Sequence, residues 1–169
     1  VGGVSAVRLL FIDGDGSNET ADVRAVLAAS QHGELIIGAR RGEGVSEGAM
    51  SWPQRVGNMV AARLVLLLWW KQITDLGPLR AIYLDDVESL GMQEMTFGWT
   101  VEMQLRALHT GIAHIEVTVG CKSRHGPSKI SGTVAGVVRA AYGVIGTIVK
   151  LRWQLLVCSQ AVSKQVQGL

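Results

Sequence analysis

The sequence predicts an α/β domain with a largely parallel sheet and a long amphipathic helix near its C-terminal end. Three observations lead to this fold class: short apolar runs alternate with helical patterns, no linker or internal repeat divides the chain, and 169 residues suit one domain. Hydrophobic residues make up 48% of the chain and charged residues 18%, which excludes an intrinsically disordered protein. The net charge of +2 does not indicate a nucleic-acid partner.

The first part of the chain predicts two strands and a helix. Residues 8–13 are an apolar run that ends in an acid, which is typical of a buried parallel strand. A helix is predicted over residues 21–30, with Ser17 or Asn18 as its cap. Residues 34–38 predict a second short buried strand.

The middle of the chain begins with a glycine-rich segment. Residues 40–48 contain three glycines and four charges and predict a mobile surface loop. A helix follows over residues 52–70, and residues 79–84 predict a strand. A short helix over residues 85–90 and a longer one over residues 98–109 come next, with Gly111 as the stop of the second.

The last part predicts a strand, a basic loop and a long helix. Residues 114–119 alternate polar and apolar side chains, as in a half-buried strand, and a basic loop spans residues 122–129. Residues 134–156 are largely apolar but carry three cations, which favours a helix in the core or lying on a surface over one that spans a bilayer. We expect one domain over residues 1–157 and a polar tail over residues 158–169, which is frayed over residues 163–169.

Two acidic residues follow the first predicted strand. Asp13 and Asp15 are separated by one glycine and are expected at the edge of the sheet where α/β domains bind ligands. Their carboxylates are the hard oxygen ligands that Mg²⁺ or Mn²⁺ prefers, and such an ion would neutralise a bound diphosphate. The alternative is a solvated acidic turn, since the pattern is short.

Three further motifs have both a functional and a plain structural interpretation. Asp75 and Arg80 flank a Gly-Pro turn, where Arg80 would hold a phosphate and Asp75 would orient an acceptor, or the two would only pair with each other. Trp99 and Glu102 are three residues apart on a predicted helix, so an aromatic ring would lie beside a carboxylate on one face. The alternative is a half-buried tryptophan and a glutamate on the helix surface, with no functional role.

The third of these motifs is the basic loop. Arg124, Ser128 and Lys129 precede the long helix and predict an anion site at its N-terminus, with a solvated basic loop as the alternative. The two cysteines, Cys121 and Cys158, lack metal-type partners in the sequence and indicate reduced thiols in a cytosolic protein.

Taken together and in order, these motifs resemble bacterial family 2 glycosyltransferases, of the subgroup similar to dolichol-phosphate and polyprenyl-phosphate sugar transferases. The resemblance covers about residues 8–152. The matching segments are FIDGDGS at 11–17, ELIIGAR at 34–40, QRVGN at 54–58, TDLGPLRAI at 74–82, GWTVEMQ at 98–104 and SKISGT at 128–133.

The resemblance implies part of a nucleotide-diphospho-sugar transferase domain of the GT-A, Rossmann-like type. The first strands of the family's domain have no counterpart here, so residues 1–157 are expected to be its C-terminal part and the chain an N-terminally truncated fragment. The implied reaction moves a sugar from a nucleotide diphospho-sugar, with inversion, to an acceptor such as a polyprenyl or lipid phosphate in cell-envelope glycan synthesis. The alternative is a non-catalytic, membrane-associated domain that retains a phosphate-binding surface.

The resemblance also implies roles for the singled-out residues. Asp13 and Asp15 would hold Mg²⁺ or Mn²⁺ and the diphosphate, while Asp75 and Glu102 would position or deprotonate the acceptor. The residues expected at the acceptor or its phosphate are Arg80, Trp99, Arg124, Ser128 and Lys129. The implied partners are a nucleotide diphospho-sugar, a lipid-phosphate acceptor and a membrane surface, on the cytoplasmic, inner face of the plasma membrane, with residues 134–156 resting on it.

Overall fold

The computed structural model describes residues 7–31, 33–123 and 134–167 of the chain. Within these residues the chain forms four strands and five helices, in the order β1 (Arg8–Phe11), α1 (Thr20–Ala29), β2 (Glu34–Val45), α2 (Trp52–Trp69), β3 (Arg80–Tyr83), α3 (Leu84–Leu90), α4 (Trp99–Thr110), β4 (Ala113–Cys121) and α5 (Val134–Gln167). The α/β class is therefore confirmed.

The described strands form one mixed sheet in the order β1-β3-β2-β4. β3 runs antiparallel to both of its neighbours, whereas β2 and β4 are parallel. Three of the four strands thus point the same way, as expected for a largely parallel sheet, although only one of the three pairings is a parallel ladder. The apolar pattern of β3 predicts its burial but not its direction, because both kinds of strand bury apolar side chains.

The segment 40–48 is not the predicted mobile loop along its whole length. β2 continues through Arg40, which pairs with Val119 of β4, and after an irregularity Val45 pairs with Cys121. A side chain on Gly120 would place its Cβ 2.6 Å from the carbonyl oxygen of Gly44, so the two glycines allow the strands to approach closely. Glycines that usually indicate a loop here serve strand pairing.

Helices cover both faces of the sheet. On one face, Val26 of α1 packs with Ile36, Leu79 and Val119. On the other, Leu35 and Ile37 of β2 pack with a cluster that includes Met103 of α4. Because successive side chains of a strand point to opposite faces, the run 35–37 supplies both cores.

A third apolar cluster joins α2, α4 and α5. Its fully buried members include Ala61 and Val65 of α2, Leu105 of α4 and Ile148 of α5. α5 extends to Gln167, so most of the segment that we expected to be a frayed tail continues the helix. None of the helices in the described part of the chain has the length and apolar character needed to cross a bilayer.

Helix boundaries follow the sequence closely, with one exception. Pro53 lies in the first turn of α2, where Ser51 and Gln54 form a capping box, and Gly111 ends α4 in the left-handed conformation. α1, by contrast, has Glu19 as its N-cap and no side-chain cap, so neither Ser17 nor Asn18 plays the predicted capping role.

We expect the close packing of α4 on α5 to depend on Gly98. A Cβ on Gly98 would lie 2.9 Å from the Cβ of Thr147, inside contact distance, whereas one on the exposed Gly146 would meet nothing within 4 Å. Gly98→Ala should therefore lower the free energy of unfolding by about 1–3 kcal/mol, and the control Gly146→Ala should raise it by up to about 1 kcal/mol. Urea denaturation followed by circular dichroism measures both, and equal effects would contradict this packing.

Candidate functional site

The candidate site lies where β1, β2 and β4 end and β3 begins. A cavity of about 60 Å³ opens there. Its lining residues are Asp13, Asp15, Ser17, Asn18, Arg40, Ala49, Gln54, Pro78 and Cys121. The two predicted metal-binding acids are thus brought together with Arg40 and Gln54, to which the sequence assigned no role, although both fall in segments that carry the family resemblance.

The two acids line the cavity beside hydrogen-bond donors. Asp15 accepts a hydrogen bond of 3.0 Å from the backbone N–H of Ser17, and the charge of Asp13 acts on Arg40. No cluster of three or more His, Cys, Asp and Glu that could hold a metal occurs among the described residues. Mg²⁺ is commonly held by one or two carboxylates and completes its shell with substrate phosphates and water. The pair Asp13 and Asp15 therefore fits an ion that shares a diphosphate.

Asp75 is buried and engaged by Arg40. The carboxylate accepts hydrogen bonds from the backbone N–H of Arg40 at 2.9 Å, from its Nε at 2.8 Å and from its Nη2 at 2.8 Å. Burial acts to lower the pKa of Arg40, but the hydrogen bond and charge of Asp75 raise it overall. The geometry gives Asp75 a positioning role toward Arg40 in place of the predicted contact with an acceptor, and its ion-pair partner is Arg40 rather than Arg80.

The turn that carries Asp75 is held from several sides. The Asn58 side chain accepts from the backbone N–H of Leu76 at 2.8 Å and donates to the carbonyl of Thr74 at 3.1 Å. Glu116 accepts from the backbone N–H of Thr74 at 2.8 Å, and Gln104 donates to the carbonyl of Asp75 at 3.0 Å. α2, α4 and β4 thus each contribute a side chain that fixes this turn.

Arg80 and Trp99 pack in the interior instead of facing an acceptor. Arg80 is fully buried, and its guanidinium donates to the carbonyls of Gly77 and Thr100. It also lies over the Trp99 ring, 5.2 Å from the centroid, and that ring is 5.3 Å from the ring of Phe11. Burial lowers the pKa of Arg80 to about 9, so the side chain keeps its charge at pH 7. The hydrogen bonds of the Arg80 guanidinium are made within the chain, and its predicted phosphate contact stays a prediction.

Glu102 does not have the predicted place beside an acceptor. Its buried carboxylate accepts from the backbone N–H of Gln93 at 3.1 Å, from that of Glu94 at 2.6 Å and from Nε of Arg106 at 2.7 Å. Glu102 therefore anchors the loop before α4. Arg124, Ser128 and Lys129, the predicted anion site, lie outside the described residues.

His114, which is half-buried, lies next to the polar groups that hold this turn. Its Nε2 lies 3.3 Å from Nε2 of Gln104, which also donates to Asp75. Burial lowers the pKa of His114, more than the charge of Glu116 raises it. A neutral ring accepts from Gln104, whereas a protonated ring would place two donors opposite each other.

We expect removal of the Asp75 charge to destabilise the fold. Asp75→Asn leaves the Arg40 guanidinium without its anion in a half-buried position, so the free energy of unfolding should fall by about 1–3 kcal/mol. The matched control is Glu88→Gln on the exposed side of α3, which should change it by less than about 0.5 kcal/mol. Denaturant titration at pH 7 compares the two, and equal losses would refute the pairing as a stabilising contact.

His114 should make stability depend on pH in the acidic range. Because its pKa in the fold lies below the ordinary value of 6.5, its contribution is complete above pH 6.5 and is lost as the pH falls below that value. His114→Gln should therefore lose less stability than the parent chain between pH 7 and pH 5. His109→Gln, at an exposed position, should keep the parent's pH dependence. Melting temperatures of the three proteins between pH 7 and pH 5 test this, and equal losses in all three would contradict the role of His114.

Comparison with known proteins relates the chain to bacterial glycosyltransferases. It is 29% identical over 133 residues to uncharacterized glycosyltransferases of Mycobacterium tuberculosis and Mycobacterium bovis, covering 76% of this chain and 59% of theirs. It is also 29% identical over 159 residues to the undecaprenyl-phosphate mannosyltransferase of Micrococcus luteus, covering 86% of this chain and 61% of that protein.

The chain spans about three fifths of the length of these relatives. No protein-family model matches it, and no solved structure matches it significantly. The motif resemblance is nevertheless confirmed at the level of sequence similarity. Over most of its length, the chain is similar in sequence to proteins named as bacterial glycosyltransferases, one of which is an undecaprenyl-phosphate mannosyltransferase.

Proposed function

We propose that this chain carries the diphosphate-binding and metal-binding part of a glycosyltransferase. The reaction transfers a sugar from a nucleotide diphospho-sugar to a polyprenyl or other lipid phosphate, in cell-envelope glycan synthesis at the cytoplasmic face of the plasma membrane. The observation that carries the proposal is the grouping of Asp13, Asp15 and Arg40 around one cavity at the carboxyl ends of the strands. Similarity to an undecaprenyl-phosphate mannosyltransferase supports the choice of a lipid-phosphate acceptor.

The charges in the cavity suit a metal-bound diphosphate. Asp13 and Asp15 would hold Mg²⁺ or Mn²⁺, and the bound ion would supply charge neutralisation for the diphosphate leaving group. Arg40 adds a positive charge, and Asp75 keeps its guanidinium in a fixed orientation through two parallel hydrogen bonds. The site thus combines carboxylates for a cation with a guanidinium for an anion.

The contacts that Asp75 and Glu102, the two predicted bases, make within the fold help to choose between a hydroxyl and a phosphate acceptor. Asp75 and Glu102 are both buried and already accept several hydrogen bonds. A hydroxyl acceptor requires a general base, whereas a phosphate monoester, with a second pKa of about 6, is already anionic at pH 7. The buried state of both acids therefore favours a phosphate nucleophile over a sugar hydroxyl.

The proposal is tested by following transfer from radiolabelled guanosine and uridine diphospho-sugars to undecaprenyl phosphate in detergent, with and without Mn²⁺. In a chain extended to the length of its relatives, we expect Mn²⁺-dependent transfer, and Asp15→Ala should reduce it by at least about 100-fold because the diphosphate loses its ion. Glu88→Gln, which is distant from the cavity residues in the fold, serves as the control.

Each contrary result has a distinct meaning. Full transfer by Asp15→Ala would overturn the metal-binding role of this acid. Nucleotide-sugar binding without transfer would favour the non-catalytic phosphate-binding domain. Failure to bind any of the nucleotide sugars, in protein that is folded by circular dichroism, would overturn the proposed function itself.

A further inference from the structure

We infer that the side chain of Asn18 is a further ligand-binding group of the cavity and donates a hydrogen bond to an oxygen of the bound diphosphate. The inference rests on the proposed function, because it requires that a diphosphate enters this cavity. It extends that function by assigning a binding role to a residue for which the sequence suggested only a place as a helix cap.

The amide nitrogen of Asn18 is buried without a hydrogen-bond partner. Within the described part of the chain, the buried side-chain atoms in this state belong to Asn18, Ser30, Trp69, Arg80 and Gln104. Of these residues, only Asn18 lines the cavity that contains Asp13 and Asp15. Buried polar groups of folded proteins are almost always hydrogen-bonded, so an unpaired amide at a candidate site calls for a ligand that satisfies it.

Local structure does not use this side chain. An asparagine just before a helix commonly accepts a hydrogen bond from the first turn, but Glu19 is the N-cap of α1 and no side chain caps this helix. The hydrogen bonds among the described residues do not include the Asn18 side chain. The amide can therefore rotate about its terminal bond toward a ligand without breaking a hydrogen bond.

The backbone on both sides of Asn18 is held in place. The carbonyl of Ser17 accepts from the backbone N–H of Lys122 at 2.9 Å, and the N–H of Ser17 donates to the carboxylate of Asp15 at 3.0 Å. On the other side, the carboxylate of Glu19 pairs with Nζ of Lys122 at 3.1 Å. The residue after β4 thus fixes the loop, and a group presented from a fixed backbone loses less conformational entropy when it binds.

The groups around the cavity indicate the oxygen of an anion as the partner of this amide. An amide N–H is a donor, so it binds a lone pair and not a cation. Asp13 and Asp15 supply carboxylates for a cation, while Arg40 supplies a positive charge. A diphosphate offers several charged oxygen acceptors, and hydrogen bonds to charged groups are stronger than those between neutral groups. Asn18 and Arg40 therefore act on the anion, and the two acids act on its ion.

The inference is tested by comparing ligand binding with stability in Asn18→Ala. The variant removes an amide that has no partner in the ligand-free chain, so its melting temperature without ligand should not fall. Its affinity for inorganic pyrophosphate in the presence of Mg²⁺ should fall at least about 10-fold, because a hydrogen bond to a charged oxygen is lost. Isothermal titration calorimetry measures the affinity, and a thermal melt followed by circular dichroism measures the stability.

Two further variants make the comparison specific. Ser30→Ala is the matched control, since its buried Oγ is also unpaired but lies at the opposite end of α1, outside the residues that line the cavity. It should keep both the melting temperature and the affinity of the parent chain. Asn18→Asp places a carboxylate at the same position and should weaken pyrophosphate binding more than alanine does, because like charges repel.

Three outcomes would overturn the inference. They are parent affinity in Asn18→Ala, an equal loss of affinity in Ser30→Ala, and parent or tighter affinity in Asn18→Asp, which would make residue 18 an oxygen ligand of the cation. If Asp15→Ala still loses pyrophosphate binding in these cases, the proposed function stands without Asn18. A folded parent chain that binds neither pyrophosphate nor a nucleotide sugar would overturn the proposed function and this inference with it.

Discussion

The candidate site depends on the ion pair between Asp75 and Arg40. Three hydrogen bonds of 2.8–2.9 Å connect Arg40, within β2, to the turn before β3, and Arg40 also lines the cavity beside Asp13 and Asp15. A buried carboxylate is tolerated here because its charge is paired and hydrogen-bonded. The same carboxylate holds both the backbone N–H and the guanidinium of Arg40, which restricts the orientation of this side chain.

The other buried charges follow the same principle. Arg80 and Glu102 are both buried, and each is held by backbone groups together with one other side chain, Trp99 for Arg80 and Arg106 for Glu102. Burial of ionised groups is costly, and these contacts offset part of that cost, although Nε of Arg80 has no hydrogen-bond partner. The residues that line the cavity, Asp13, Asp15 and Arg40 among them, are a different set from these two.

Local patterns predicted secondary structure well, and long-range packing explains the differences. α2, α3 and α4 begin and end near their predicted residues because caps, proline and glycine act within one turn of the chain. The glycines at 42 and 44 were misleading, since close approach to Gly120 on a strand remote in sequence keeps this segment in the sheet. Trp99 and Glu102, three residues apart, contact different neighbours, Arg80 and the loop at Gln93, and do not form a shared surface.

The sequence by itself determined most of the segments that form strands and helices, and that two acids follow the first strand. Only the tertiary structure decided which charged side chains form ion pairs. Asp75 is five residues from Arg80 in the sequence but pairs with Arg40, which is 35 residues away. The adjacent strands β2 and β3 bring Asp75 and Arg40 together. Burial and charge pairing depend on neighbours in space, and a linear pattern does not contain that information.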